Sequence, residues 1–390
     1  MNLDPVLKAL AAALAGEGPA VEFGPSGRHD PAAHDAAWRL WRPTEAAADL
    51  PEGTAVVVRT SGSTGAPKAT ALTVDALAAS SMATAIRLRG EGQWLLALPL
   101  EYVAGVQVLV RSLFAGTRPW AMDLTGGFSP DAFANAAAGL TDPIRYTSLV
   151  PTQLRRLLED GTPRVLAALR RFNAVLLGGA AIPPGLLDTA REAGVRVVTT
   201  YGSAETCGGC VYDGEPLEGV EVQLVDGRVW LGGAVVAAGY VGDPERTAEH
   251  FRTDDGGTRW YVSSDLGEVD GHGRLHILGR ADDVVITGGV KASAARVAAE
   301  LEALDAVREA FVAGVDDAEW GQALAAAVVL QPGAEGAPEA ALEAVQGAAV
   351  VRLGRLAPKT WLVLAEIPLL PNGKPDRQAI AELLRAEHRA

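Results

Sequence analysis

The sequence predicts an α/β protein of two domains: a large N-terminal domain of layered α/β sheets with a small β subdomain, then a small α+β domain. Three observations lead there. Strand-like and helix-period segments alternate from residue 54 to about residue 210, the pattern of a sheet layered with helices. From residue 220 to 261 the pattern changes to short alternating runs with Asp-Gly turns, as in VEVQLVDGRVWL. After the glycine- and charge-rich turn LGRADD at 278–283, a tail of strand and helix patterns runs for roughly 110 residues, an ordinary domain size. The boundary is placed between residues 280 and 281, giving domains 1–280 and 281–390. A chain of 390 residues also exceeds what one core usually holds.

In order, residues 1–23 set a short Ala-rich run at helical period, with Asp4 ahead of the first lysine. That predicts an N-terminal helix and not a signal peptide. Residues up to about 53 read as irregular, with Trp38 and Trp41 packing this segment onto the first domain. Residues 54–59 (TAVVVR) and 69–73 are strands, and Thr73 is an N-cap for a helix over 74–89. A strand over 94–98 precedes a helix over 106–114, stopped by Gly116. Residues 146–158 give a strand and a helix, and 175–177 and 195–200 give two more strands. The tail reads as strand (VVITG), helix (294–304), strands (310–315 and 323–329), helix, strand (361–364) and terminal helix.

Residues 60–68, TSGSTGAPK, gather Thr60, Ser61, Gly62, Ser63, Thr64, Gly65 and Lys68 into nine positions. Glycines let backbone N–H groups close on an anion, hydroxyls add donors, and the lysine adds full positive charge. This is a loop that holds a polyphosphate. Its spacing is not that of a P-loop NTPase. With strands on both sides, the phosphates sit between strands and not on a helix N-terminus.

Composition sets limits. Hydrophobic residues make up 48% and charged residues 21%, ordinary values for a soluble chain, and the net charge is −14. That charge argues against a nucleic-acid surface or an anionic-membrane anchor. No apolar run is long enough to span a bilayer, so a cytoplasmic location is expected. The only cysteines, Cys207 and Cys210, form a lone C-x-x-C without a second pair or a histidine pattern, which disfavours zinc. A thioredoxin-like redox role is disfavoured as well, because that motif opens a helix in a much shorter domain. His29 and His34 fall in a polar stretch and read as solvated. Arg111, inside an otherwise apolar helix pattern, reads from spacing alone as an arginine snorkelling to the surface.

At the 60–68 loop, which ends Gly-x-Pro-Lys, the chain resembles the adenylate-forming superfamily of acyl-CoA synthetases, peptide-synthetase adenylation domains and luciferases. Other segments fall into that family's order. YGSAE at 201–205 is similar to its Tyr-Gly-x-Thr-Glu segment, which implies Tyr201 and Gly202 beside the adenine and Glu205 as a Mg²⁺ ligand. Asp265 resembles the carboxylate that accepts from both ribose hydroxyls, as an acceptor-only group can. Arg280 and Asp282 resemble the ribose-side arginine and the hinge aspartate, and Lys374 in PNGKPDR resembles the catalytic lysine of a mobile C-terminal domain. Gly178, Gly179 and Ala180 join the nucleotide-binding set by the same resemblance. The stretches LPLEYVAGVQVLVRSLFAGT, TSLVPTQLRRLL, VLLGGAAIP and SAETCGGCVYDG are similar to o-succinylbenzoate–CoA ligases of menaquinone biosynthesis.

The resemblance implies ATP, Mg²⁺ and CoA as cofactor and co-substrates, a small carboxylic acid as partner, and two half-reactions. The acid attacks the α-phosphorus of ATP with Lys374 bridging the charges. The C-terminal domain then turns about Asp282, and the CoA thiol expels AMP. It also implies that Arg111 pairs with the succinyl carboxylate that is not activated, reversing the reading from spacing. Three positions depart from the family pattern: Ala204 where Thr is usual, Glu101 where His or an aromatic is common, and Arg296 where Glu is usual. Glu101 keeps open a ligase for another aromatic or acyl acid, and Ala204 a non-catalytic nucleotide-binding homologue. Oligomeric state, a homo-oligomer included, is not fixed by these residues.

Overall fold

A computed structural model describes residues 2–24, 38–41, 50–60, 68–331, 338–370 and 375–389. By contacts the chain divides into two compact units. Residues 1–181, 187–225 and 230–263 form the first, and residues 182–186, 226–229 and 264–390 form the second.

In the first unit, the strand Thr54–Thr60 turns back antiparallel onto Lys68–Thr73, pairing Thr60 with Lys68, so residues 61–67 connect two adjacent strands. The side chain of Thr73 accepts a hydrogen bond from the Ala76 amide at the start of the helix Val74–Leu88, as an N-cap does. Two three-residue strands, Val21–Phe23 and Trp38–Leu40, extend this sheet in a region read from sequence as irregular. They exist through non-local pairing, Val21 to Val56 and Phe23 to Trp38, and are too short to show a period. Trp41 is buried against Ala20, Val57 and Ala69.

The second sheet is the larger. Gln93–Leu96, Arg145–Leu149, Ala174–Gly178 and Val197–Ser203 run parallel, and Gly208–Tyr212 joins antiparallel at one side. The first three of these strands are almost wholly buried, with helices such as Val103–Phe114 and Pro151–Glu159 packed on them. The helix begins at Val103, ahead of the predicted 106, with Tyr102 as an N-cap that gives no side-chain hydrogen bond and so no signal in the sequence. Gly116 closes it at φ +65°, where a side chain would be strained. A third sheet, with strands Val220–Val225, Arg228–Gly233, Phe251–Thr253 and Arg259–Val269, is the β subdomain.

In the second unit, Arg259–Val269 pairs with Leu275–Arg280. Residues 278–280, read from sequence as part of a turn, are strand because Asp265 and Arg280 complete the register. The turn itself is the short 3-10 segment Ala281–Asp283. Beyond it, Gly321–Leu330 pairs with Val307–Asp317 on one side and Thr360–Val363 on the other. Its side chains alternate. Leu324, Ala326 and Val328 face the core with Val297 and Leu301, while Ala325, Ala327 and Val329 face Ile380 and Leu384 of the helix Arg377–His388. One period-2 strand thus serves two cores.

The first sheet also holds a buried carboxylate paired with two partly exposed arginines. Glu22 lies opposite Arg39 in the register and beside the strand carrying Arg59, and both guanidinium groups donate to its carboxylate. Burial alone would raise the Glu22 carboxyl, but the hydrogen bonds and charges of Arg39 and Arg59 outweigh it and hold it below the ordinary 4.5. Replacing Glu22 with Ala should cost about 2 kcal/mol in urea unfolding. A carboxyl with a lowered folded pKa stabilises above its unfolded value and stops doing so as pH falls through the folded one. The gap between parent and Glu22→Ala should therefore narrow below pH 4.5.

Candidate active site

The carboxyl ends of two adjacent parallel strands in the second sheet carry several of the sequence-predicted residues, at the position where doubly wound sheets bind ligands. Ala174–Gly178 ends at Gly178, followed by Gly179 at φ +82° and by Ala180. A Cβ at Gly178 would meet the Thr200 hydroxyl at 2.3 Å, so the backbone there runs against the neighbouring strand. Val197–Ser203 carries Tyr201 and Gly202 at its end, and a Cβ at Gly202 would meet the Gly208 carbonyl at 2.1 Å. Only glycine allows that approach. The chain then makes a single 3-10 turn, Ala204–Thr206, closed by Cys207 at φ +52°. The Thr206 hydroxyl accepts from the Ser203 amide and donates to the Gly208 carbonyl at 2.8 Å, which fixes the turn.

This turn aims Glu205. Its side chain is 8% exposed, and its Oε1 accepts from the Tyr240 hydroxyl at 2.8 Å and lies 4.0 Å from Lys68 Nζ. The Lys68 ammonium also sits 5.4 Å over the Tyr240 ring. Lys68 opens its strand directly after residues 61–67, so the carboxylate and the ammonium meet at the root of the hydroxyl-rich loop. Ser61, Gly62, Ser63, Thr64 and Gly65 lie outside the described residues; Thr60 ends the strand before them. Among the described residues no group of three or more His, Cys, Asp or Glu side chains could hold a metal. A hard cation here would rest on the Glu205 carboxylate with oxygens from a bound polyphosphate, as Mg²⁺ usually does. The chemistry fits: a buried carboxylate has one oxygen committed to a phenol, and the other has no partner among the described residues.

Arg111 does not snorkel. It is 6% exposed, with its guanidinium 5.1 Å over the Trp94 ring and Nη2 donating to the Tyr212 hydroxyl at 3.3 Å. Its Nε has no hydrogen-bond partner, and no carboxylate pairs with it among the described residues. A buried cation without a counter-ion is costly, so the position suits a carboxylate brought from outside. One turn earlier, Gln107 donates to the Ser80 hydroxyl at 3.1 Å and to the Cys207 carbonyl, joining this helix to the Glu205 turn. Sequence reasoning missed Gln107, Tyr212 and Tyr240. Gln107 falls in the predicted helix over 106–114, Tyr240 in the alternating runs of 220–261 and Tyr212 in a stretch given no element, and only tertiary pairing gives them a role.

Cys207 and Cys210 are both buried and unpaired by a disulfide. Burial pushes the Cys207 thiol well up and the Cys210 thiol up to about 12, so neither is poised for redox or metal chemistry. Ala204 is buried, and the adjacent Ser203 hydroxyl has no hydrogen-bond partner. Glu101 is partly exposed in the turn before Val103–Phe114.

The second unit groups the remaining candidates. Asp265 Oδ1 lies 3.9 Å from Arg280, and Arg280 donates a two-bond fork to Asp282 at 2.7 and 2.6 Å. The Asp282 fork raises the guanidinium pKa further, against burial. Burial alone would raise the Asp282 carboxyl, but Arg280 holds it below its usual value. Lys374 lies outside the described residues, and the residues flanking it are paired. Leu369 bridges Pro375, the Asp376 amide donates to the Pro368 carbonyl at 2.8 Å, and Arg377 pairs with Asp283 beside the 3-10 turn. Arg296 sits in the first turn of the helix Ala294–Glu302, where its amide donates to the Ser293 cap.

The sequence profile of the AMP-binding enzyme family matches residues 5–241, and that of the AMP-binding enzyme C-terminal domain matches residues 297–374. The chain belongs to the AMP-binding enzyme family. It is 41% identical over 344 residues to a probable 2-succinylbenzoate–CoA ligase of Mycobacterium tuberculosis, covering 87% of this chain and 86% of that protein. Against the 2-succinylbenzoate–CoA ligase of Escherichia coli the identity is 35% over 343 residues, covering 84% and 68%. Its fold is similar to the o-succinylbenzoate CoA synthetase of Bacillus subtilis in complex with its acyl-adenylate intermediate. The TM-score is 0.69 and the identity 28%, covering 85% of this chain and 70% of that one. The family match accounts for the ordered motifs, and the α/β architecture with its separate C-terminal unit is that of adenylate-forming enzymes.

Proposed function

We propose that this family member is an ATP-dependent acid–CoA ligase that converts o-succinylbenzoate to its CoA thioester through an acyl-adenylate, in the cytoplasm. The observation that carries the reading is the buried Glu205 carboxylate facing Lys68 at the root of the 60–68 loop. It supplies an anchor for a metal–polyphosphate beside a lysine and a run of hydroxyl donors. The names borne by the relatives support the choice of acid, and so does Arg111, a buried cation lacking a described counter-ion.

Thr60 and the loop residues Ser61 to Gly65 hold the phosphates through amides and hydroxyls, with Lys68 adding charge. Gly178, Gly179, Ala180, Tyr201 and Gly202 bound the adenosine side, where glycines let backbone approach the nucleotide. Asp265 accepts from the ribose hydroxyls and Arg280 steadies that carboxylate. Glu205, together with phosphate oxygens, would hold Mg²⁺, which would neutralise charge on the polyphosphate. The acid's reacting carboxylate attacks the α-phosphorus and pyrophosphate leaves, with Lys374 drawing charge from both reacting groups. The CoA thiolate then attacks the acyl carbon, the acyl–phosphate bond breaks, and AMP departs with the electron pair. Arg111 holds the second carboxylate, so the correct acid alone relieves the unpaired guanidinium. The functional division falls at 280/281, with Asp282 as hinge residue.

Lys374→Ala should lower adenylate formation at least about 100-fold, as loss of one preorganised charge does. Thioester formation from supplied acyl-adenylate should persist within a fewfold; single-turnover assays of each half separate the two, and equal survival of both would remove Lys374 from this role. Arg111→Ala should raise KM for o-succinylbenzoate about tenfold or more while sparing an analogue without the succinyl carboxylate. Equal effects on the two acids would make Arg111 a packing residue.

A further inference from the structure

Tyr240 is absent from every motif that identified the site, yet it touches both charged groups at its centre. It ends the two-residue strand Gly239–Tyr240, which pairs antiparallel with Lys68–Thr73, setting Tyr240 against Thr70 and diagonal to Lys68. Backbone bonds clamp this strand from both sides. Ala238 and Val241 amides donate to Ala71 and Ala69 carbonyls at 3.0 and 2.8 Å, and the Tyr240 amide donates to the Thr247 hydroxyl at 2.9 Å. The same stretch reaches the Glu205 turn, where the Ala237 amide donates to the Glu205 carbonyl at 2.9 Å. The ring is 5% exposed and packs edge-on against His250 and Phe251, at 6.0 and 5.3 Å between centroids. Backbone and ring are thus both fixed before the hydroxyl is considered.

That hydroxyl donates to Glu205 Oε1 at 2.8 Å, and the ring face lies 5.4 Å from the Lys68 ammonium. We infer that Tyr240 is a positioning residue for metal binding. Its phenol occupies Oε1 of Glu205 and leaves Oε2 for a single coordination bond, while its ring seats Lys68 at the start of its strand. A carboxylate free to turn could chelate a cation through both oxygens. With Oε1 bonded to a fixed donor, it offers Oε2 alone. The inference rests on Glu205 being the metal ligand, and the test separates the two.

Tyr240→Phe keeps the ring, its packing and the Lys68 contact, and removes only the donor. At saturating ATP its Mg²⁺ activation constant for adenylate formation should rise about tenfold, as loss of one hydrogen bond to a charged group predicts. Mn²⁺ binding to the ATP complex, read by electron paramagnetic resonance, should weaken by the same factor, with the loss in rate recovered at high metal. Glu205→Gln should weaken Mn²⁺ binding at least as much, and adding Tyr240→Phe to Glu205→Gln should change it no further. The double variant carries no unpaired buried carboxylate, so it tests the coupling even where the single Phe variant is unstable. An unchanged Mn²⁺ affinity in folded Tyr240→Phe, or a further loss in the double variant, would overturn the inference while leaving Glu205 a ligand. Unchanged affinity in Glu205→Gln would instead remove Glu205 from the metal site.

Discussion

One buried carboxylate organises the first unit. Glu205 stands on a single turn between Val197–Ser203 and Gly208–Tyr212, almost out of water, with a phenol on one oxygen and an ammonium 4.0 Å away. A carboxylate so placed is tolerated only if its partners are held as firmly as it is. The partners come from the other sheet, Lys68 from one strand and Tyr240 from its neighbour. Two sheets of different topology are therefore registered to each other at the point where residues 61–67 end. The Gly202 approach to the Gly208 carbonyl and the Thr206 hydroxyl bonds serve the same end, because they fix the turn that aims the carboxylate.

Arg111 shows the same economy of charge on a helix. Along Val103–Phe114 every residue from Gly105 to Ser112 is buried, so a guanidinium there has nowhere to reach water. Trp94 offers a ring face and Tyr212 a hydroxyl, which lessen its cost without neutralising it. An enzyme that must tell a dicarboxylate from a monocarboxylate gains from such a site. An acid lacking the second carboxylate leaves the buried cation unpaired, and discrimination by unpaired polar groups is far stronger than by shape. In the second unit, the Arg280 fork on Asp282 and the Arg377 pair with Asp283 set two adjacent acids of one short turn against two arginines. The second of these pairs ties the turn to the start of the helix Arg377–His388.

Much of this was legible in the sequence, for stated reasons. Long strands with strong composition, such as Thr54–Thr60 and Gly321–Leu330, announce themselves, and Thr73 marks its helix by capping chemistry. Lys68 was legible because it ends a glycine- and hydroxyl-rich stretch with few structural uses, and Glu205 through the resemblance of its segment to a family motif. The rest was illegible because it depends on contacts between distant segments. Val21–Phe23 and Trp38–Leu40 exist through pairing alone. Residues 278–280 look like a turn until Asp265 is placed across from Arg280. Spacing read Arg111 as a surface residue, since helical period says which face a side chain is on but not whether that face is covered on all sides. Tyr240 lies in GYVGD, where nothing local distinguishes it from any other strand tyrosine.

The central claim is that this site makes one particular thioester from a dicarboxylic acid. The measurement that tests it most directly is mass-spectrometric detection of products from MgATP, CoA and a panel of acids. The panel would hold o-succinylbenzoate, benzoate, malonate and a medium-chain fatty acid. The account predicts a CoA adduct and AMP from o-succinylbenzoate, at a kcat/KM at least about 100-fold above any other acid, because the unpaired Arg111 penalises each acid without a matching second carboxylate. Thioester formed equally well from benzoate, or from another acid and not from o-succinylbenzoate, would contradict it.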